Sequence, residues 1–303
     1  MANRLGNGSI RKRETRIIMV PPLGAQELAG SITFIGTATV LIQFGGFTIL
    51  TDPNFLHGGE RVHLGYGMHA RRLTEPALSI AQLPALDLVV LSHMHEDHFD
   101  RVAARDLQKN LPIVTTRHAA TSLEQLGFQK TRALRTWSSV HFAKGGRRLR
   151  VTAMPARHAP LALTPLFPPG MGSMLEFMDA SERVDLRLYI TGDTLFHDRL
   201  KLIPLRYPNI DIALVHLGGT RLLGLLLTMD AEQGIQAVKV VRAGINIPIH
   251  FNDYDVFRSP LDDFRREVER AGLEDKVAYL AHGDVYEFRA RSRGVTVEAN
   301  ARV

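Results

Sequence analysis

Within His93-Met94-His95-Glu96-Asp97-His98, three imidazoles and two carboxylates follow directly on the apolar run LDLVV. A strand that ends in ordinary surface loop has no use for them, but a metal site does. In an extended segment, residues i and i+2 point the same way, so His93 and His95 can share one ion. Once the chain turns, Asp97 and His98 can face a second. Borderline divalent metals accept neutral imidazole nitrogen and carboxylate oxygen, and their catalytic sites keep one position for water. Glu96 is given no role. So few ligands close in sequence cannot complete such a site, which requires further donors from elsewhere in the chain.

Those donors are present. Asp52 follows FTIL, His158 follows LRVTAMPA, Asp193 follows LRLYITG and His250 follows INIPI. Each stands at or just after the C-terminal end of an apolar strand pattern, the edge where α/β folds gather their chemistry. The chain of 303 residues contains 13 histidines and no cysteine. Disulfides, thiolate nucleophiles and Cys-ligated zinc are thereby excluded, and any metal must be held by nitrogen and oxygen.

The elements that would position these residues show in the periodicity. TATVLIQF alternates, Gly45-Gly46 marks a turn, and FTIL resumes, which predicts a hairpin. Residues 57–80 lack either period and read as a long loop. LDLVVLS and IDIALVHLG are short, wholly apolar runs, the pattern of strands buried on both faces. Helices are expected near 101–109, 118–126 and 230–243. Ser259 as N-cap, Pro260 in the first turn and Gly272 past the end delimit a fourth. Strands dominate the first half, helices join them in the second, and no linker divides the chain. Residues 1–30 read as a flexible basic arm and 31–303 as one layered α/β (α+β) domain with two sheets.

TDP, HMHEDH, ARH, TGDT and PIH, in that order, resemble the five motifs of the metallo-β-lactamase superfamily. The opening SITFIGTATVLIQFGGFTILTDP further resembles the branch that includes L-ascorbate 6-phosphate lactonase and N-acyl-phosphatidylethanolamine phospholipase D. The resemblance covers roughly residues 31–288. It implies a four-layer αββα sandwich with a dinuclear site at one sheet edge. By motif, His93, His95 and His158 would hold one metal, and Asp97, His98 and His250 the other. Asp193 would bridge them, and Asp52 would orient a ligand histidine from behind. The implied activity is hydrolysis by a metal-activated water, on an ester, lactone or phosphodiester, with Asp97 guiding the proton. Zinc is the favoured ion, and Mn²⁺ or Fe²⁺ would accept the same donors.

Two more strand-end histidines stand apart from the motifs. His282 in AHGD is a candidate general acid or oxyanion donor, and His216 in LVHLGG a weaker one. His57, His63 and His69 are expected at the surface. The apolar stretches 159–174 and 220–229 would wall a pocket or pack as core, and Arg61, Arg71, Arg72, Arg157 and Arg221 are candidates to hold an anionic group. The formal charge of +6 favours anionic partners, yet the basic residues are dispersed without the aromatic interleaving of single-strand binders. A small or amphipathic substrate is therefore expected, and nucleic acid is not. A phosphodiesterase at a membrane surface is the alternative, and an RNA-processing nuclease or a non-catalytic scaffold stands further off. With no secretory segment and no run of ~20 apolar residues, a cytoplasmic location is expected.

Overall fold

Alternation along the strands sets the layers. In the computed structural model, which describes residues 27–64, 67, 69–160 and 167–291, Val40, Ile42, Ile49, Leu88 and Val90 belong to one buried cluster, whereas Leu41, Leu50 and Val89 between them belong to another. A strand that is apolar at every position must be covered on both faces, because successive side chains point to opposite sides.

The strands of the first half are β1 (Glu27–Gly36), β2 (Thr39–Phe44), β3 (Phe47–Thr51), β4 (Arg61–His63), β5 (His69–Arg71), β6 (Leu88–Val90), β7 (Ile113–Thr115), β8 (Thr131–Ala133), β9 (Ser139–Lys144) and β10 (Arg147–Met154). Those of the second are β11 (Gly172–Met178), β12 (Val184–Ile190), β13 (Ile212–His216), β14 (Arg221–Leu222), β15 (Leu225–Leu226), β16 (Ile245–Ile249) and β17 (Val285–Arg291). Helices α1 (Arg101–Asp106) and α2 (Arg117–Gln125) fall in the first half, and α3 (Leu202–Arg206), α4 (Ala231–Val241) and α5 (Leu261–Ala271) in the second.

Two large sheets result, ordered β17-β1-β2-β3-β6-β7-β8 and β16-β13-β12-β11-β10-β9. Their inner faces meet through residues such as Val40, Ile42, Ile49, Val151, Leu175 and Leu188, and α4 and α5 add Ile235, Val238, Phe264 and Val268 to the same cluster. Ala103 of α1, with Ala119 and Leu123 of α2, covers the opposite face of the first sheet. The order helix, sheet, sheet, helix is the expected αββα sandwich.

β3, β6, β7 and β8 run parallel, as do β12, β13 and β16. β10 points the same way as β12 because two antiparallel steps separate them. The C-terminal ends of β3, β6, β10, β12, β13 and β16 are the positions from which Asp52, His93, His158, Asp193, His216 and His250 project. Gly45 and Gly46 take the left-handed turn that reverses β2 into β3, with φ of 58° and 80°.

Three expectations change. The 57–80 segment is not loop throughout, since β4 and β5 pair antiparallel within it. Each has a single buried apolar position, Val62 or Ala70, too little for a period to show. Ser259 does not cap its own helix: Pro260 is the N-cap of α5, and Ser259 Oγ instead accepts the Ala231 N–H (3.0 Å) at the start of α4. KVAYLAHGDVYEF, which reads as one closing strand, pairs as β17 only from Val285; Val277 makes a single parallel bridge to Asn246 of β16, and 278–284 form no strand. Most of the basic arm, residues 1–26, and the stretch 161–166 of the apolar segment lie outside the described residues. No helix among the described residues is long and apolar enough to cross a membrane.

Candidate metal centre

The segment behind β6 is shaped by buried carboxylates. Asp100 ends it as the N-cap of α1, accepting Ala103 N–H (2.7 Å) through Oδ1 while Oδ2 takes Phe55 N–H (2.5 Å) and Leu56 N–H (2.7 Å). One side chain thus ties the 93–98 turn to the segment after β3. The Asn54 amide donates to the Glu96 carbonyl (2.8 Å), and the Glu96 side chain accepts the His63 N–H (2.7 Å) at the end of β4. Across the sandwich, Gly192 stands at φ 61° with the space for a Cβ only 2.5 Å from the Met171 carbonyl, so the turn presenting Asp193 closes only with glycine there. His250 sits at φ 61° and Asp52 at φ 33°, sparsely populated backbone for non-glycine residues, and the Thr37 carbonyl pins His250 through its N–H (2.6 Å).

These constraints bring seven candidate ligands together as two adjoining groups, His93–His95–His158 and Asp97–His98–Asp193–His250, each with donor atoms within 4.8 Å of one another. His93 Nε2 and His95 Nδ1 are 2.9 Å apart, and His158 Nε2 is 3.4 Å from the same His95 nitrogen. Donors 2.0–2.1 Å from one ion at angles of 90–109° would stand about 2.9–3.4 Å apart, so the spacing suits a metal. In the second group Asp97 Oδ1, His98 Nε2, Asp193 Oδ1 and His250 Nε2 are buried with no hydrogen-bond partner. Buried polar atoms rarely remain unpaired in folded chains, and a convergent set of this kind fits a cation. Asp193 lies between the groups, its Oδ2 being 3.2 Å from His98 Nε2 and 3.8 Å from His158 Nδ1.

The remaining ring nitrogens have anchors. His158 Nδ1 lies 3.2 Å from the Leu227 carbonyl and His250 Nδ1 3.2 Å from that of Leu217. A carbonyl only accepts, so each Nδ1 carries the proton and each Nε2 keeps its lone pair. His98 Nδ1 is 3.1 Å from Asp52 Oδ2.

Without metal the cluster is electrostatically divided. Burial, then neighbouring imidazoles, hold His93 well below the usual histidine range, and burial and His158 hold His95 down to about 3. Burial also lowers His158 and His216. For His98 and His250 burial acts the same way, but the surrounding carboxylates, Asp193 foremost, outweigh it and raise both. Burial would raise Asp52, yet His98 and His216 hold it down to about 2.

A pH prediction follows for the metal-free chain. His93, His95, His158 and His216 resist protonation when folded but take protons near pH 6.5 when unfolded, so their contribution is lost as pH falls below 6.5. The opposite contribution of His98 and His250 is already complete below 6.5 and does not offset the slope. The Tm of metal-free protein is expected to be lower at pH 5.0 than at 6.5. An equal or higher Tm at pH 5.0 would show that these imidazoles do not remain neutral when folded.

The other sequence candidates fall elsewhere. His282 lies 3.0 Å from Asp253 and 3.3 Å from the Glu75 carbonyl, outside the cavity wall. His216 is fully buried behind Asp52. His57, His63 and His69 are exposed, His57 beside Glu75 and the other two as a cross-strand pair. Arg72, fully buried, binds the Asn54 side chain and the Asn54 and Thr74 carbonyls, so it supports the fold rather than a ligand. Arg61 and Arg71 are exposed, Arg157 reaches the Phe196 carbonyl and Arg221 pairs with Asp230.

Sequence reasoning missed Asn54, Asp100 and Asp253, the last of which accepts the Thr37 N–H (2.9 Å). Only the closeness of Asp100 and Asp253 to the motifs hinted at them. A small cavity reaches His95, Asp97, His158 and Asp193, and Leu64, Phe167, Thr220 and Leu227 wall it.

A model of the beta-lactamase superfamily domain matches residues 48–251 of this chain. A metal-dependent hydrolase of Hyperthermus butylicus is 26% identical over 264 residues, covering 86% of this chain and all of that protein. Among solved structures, an isothiocyanate hydrolase from Delia radicum gut bacteria superposes with a TM-score of 0.71 at 22% identity, covering 87% of this chain and 100% of the other. A possible metal-dependent hydrolase from Veillonella parvula gives 0.69 at 21%, covering 87% and 99%.

Proposed function

Because the chain belongs to the beta-lactamase superfamily, we propose that it is a metal-dependent hydrolase with two metal ions, zinc by preference, acting on a small neutral ester or lactone. One observation carries the proposal. Two ligand groups, the second with unpaired buried donor atoms, open on one cavity whose remaining wall is Leu64, Phe167, Leu227 and Thr220. Bound metal would supply Lewis-acid polarisation of the carbonyl and a water acidic enough to attack near neutral pH.

The chain's own residues do the rest. The apolar wall seats the acyl portion and excludes bulk water, which strengthens every charge interaction inside. His98 and His250 outweigh burial and keep the Asp97 carboxyl below its ordinary range. Asp97 is therefore a carboxylate, and its unpaired Oδ1 can accept the proton that water releases as it adds to the carbonyl. No Lys or Arg side chain is among the described residues of the wall. An anionic phosphodiester would find no cationic side chain there, which favours a neutral substrate.

The test is metal content by elemental mass spectrometry on protein purified without chelator, followed by assay on a p-nitrophenyl ester, a γ-lactone, an alkyl isothiocyanate and bis(p-nitrophenyl) phosphate. About two ions per chain, with chelator-sensitive turnover of the neutral substrates, are expected. Preference for the phosphodiester would overturn the substrate class, and no metal uptake from Zn²⁺ or Mn²⁺ would overturn the reading as a whole.

A second reading rests on one surface feature. Between cavity residues Thr220 and Leu227, the β14–β15 hairpin holds Leu223 94% exposed and Leu225 46% exposed. Exposed leucines beside a cavity suit a lipid interface, which would make the chain a phosphodiesterase on amphipathic substrate. That reading requires co-sedimentation with anionic phosphatidylserine vesicles at low salt, weakened by Leu223→Ser. Absence of sedimentation would remove it.

A further inference from the structure

We infer that His216 is a positioning residue that acts through Asp52 to hold the ligand His98 in its metal-binding tautomer. The inference rests on the metal-centre reading above. His216 ends β13 and is fully buried, its ring stacked on that of His98 at 6.0 Å and 9°. Asp52 Oδ1 accepts the Ser92 N–H (2.6 Å), while Oδ2 lies 3.1 Å from His98 Nδ1 and 3.4 Å from His216 Nε2. An ionised carboxylate only accepts, so both nitrogens must carry protons.

The far side of His216 agrees. Thr191 Oγ1 accepts the His216 backbone N–H (2.9 Å), which leaves the hydroxyl proton to point at His216 Nδ1, 3.3 Å away. Nδ1 is then the acceptor and Nε2 the donor, as Asp52 demands. With a proton held on His98 Nδ1, Nε2, which lies 3.2 Å from Asp193 Oδ2, is the nitrogen left to bind a metal.

A competitor shows why the relay matters. Ser92 Oγ stands 3.3 Å from His98 Nδ1 and can donate to it as well as accept from it. Were Asp52 free to swing away, His98 could accept from Ser92 and carry its proton on Nε2, the atom a metal needs. By occupying the same Oδ2, His216 keeps Asp52 in place.

Asp52, His98 and His216 also lie close enough together to suggest a third cation site. The Thr191 hydroxyl argues against it, because by donating to His216 Nδ1 it leaves the ring's own proton on Nε2, where an ion would need a lone pair. The general-acid role is disfavoured as well, since His216 is absent from the cavity wall.

Stepwise Co²⁺ titration of the metal-free full chain, followed by visible absorption, tests the relay through the affinity of each equivalent. His216→Phe keeps the stacked ring and loses the donor. Thr191→Val removes the hydroxyl from a different strand, and His216→Gln retains a donor. The Phe and Val variants are expected to bind one of the two equivalents ~10–100-fold more weakly, with an altered spectrum for that equivalent alone and the Gln variant within a few-fold of wild type. Wild-type affinities in both the Phe and Val variants would overturn the inference. So would equal weakening of both equivalents together with a lowered Tm, which marks a merely structural role. Wild-type protein that takes up no Co²⁺ would overturn the metal-centre reading and this inference with it.

Discussion

Asp193→Asn is expected to fold like wild type, bind at least one metal equivalent less and turn over at least ~100-fold more slowly on any substrate of the wild-type chain. The amide has nearly the shape of the carboxylate, so packing behind Gly192 survives. The charge does not. Asp193 is buried among three imidazoles, its oxygens 3.2 Å from His98 Nε2, 3.5 Å from His250 Nδ1 and 3.8 Å from His158 Nδ1. Burial opposes its ionisation, but His250 and His98 hold it well below the usual carboxylate range, so the site depends on its being anionic. Circular dichroism, metal content and turnover on one preparation check the three parts together. A fully loaded, fully active Asp193→Asn chain would mean that this carboxylate does not join the two groups. His95→Ala is expected to lower metal content and turnover together, because it removes the nitrogen nearest both His93 and His158.

Asp100→Ala is expected to cost stability rather than chemistry. It leaves the Ala103, Phe55 and Leu56 N–H groups without their acceptor in a place where water does not reach. Each orphaned buried donor costs ~1–3 kcal/mol, so the three together cost roughly 3–9 kcal/mol. That is a large share of the ~5–15 kcal/mol typical of a folded chain. Urea unfolding should move to a much lower midpoint, with metal affinity falling as the 93–98 turn loses its tie to the segment after β3. Asp100→Asn keeps an oxygen to face Phe55 and Leu56 and should lose less. An Asp100→Ala midpoint at the wild-type value would show that the three N–H groups find other partners.

These two aspartates differ in how visible they were. Asp193 was legible because it sits where an apolar strand pattern ends, as do Asp52, His158 and His250, and strand ends in parallel sheets gather on one side. HMHEDH was legible because its donors lie within six residues, a span over which extended geometry alone decides which side chains share a direction. A layered α/β architecture with two sheets could also be read in advance, whereas the αββα order came from the family resemblance. β6 is apolar at every position, and only coverage on both faces accounts for that.

What stayed hidden depends on pairs far apart in the chain. Ser259 looks like the cap of the helix beside it, yet its hydroxyl serves α4, 28 residues earlier. Arg72 reads as a candidate to hold an anionic group until Asn54 and the Thr74 carbonyl enclose it. His216 and His282 look alike as strand-end histidines. One is fully buried, 3.4 Å from an Asp52 oxygen 164 residues away, and the other meets Asp253 at the margin. Local pattern thus carried the candidate donors and the buried strands that end beside them, because both follow from repeats of two residues and from ligand chemistry. Which ring nitrogen keeps its proton, which arginine is entombed and which histidine reaches the cavity depend on which distant chain segment supplies the second partner, and folding alone brings that partner within 3 to 4 Å.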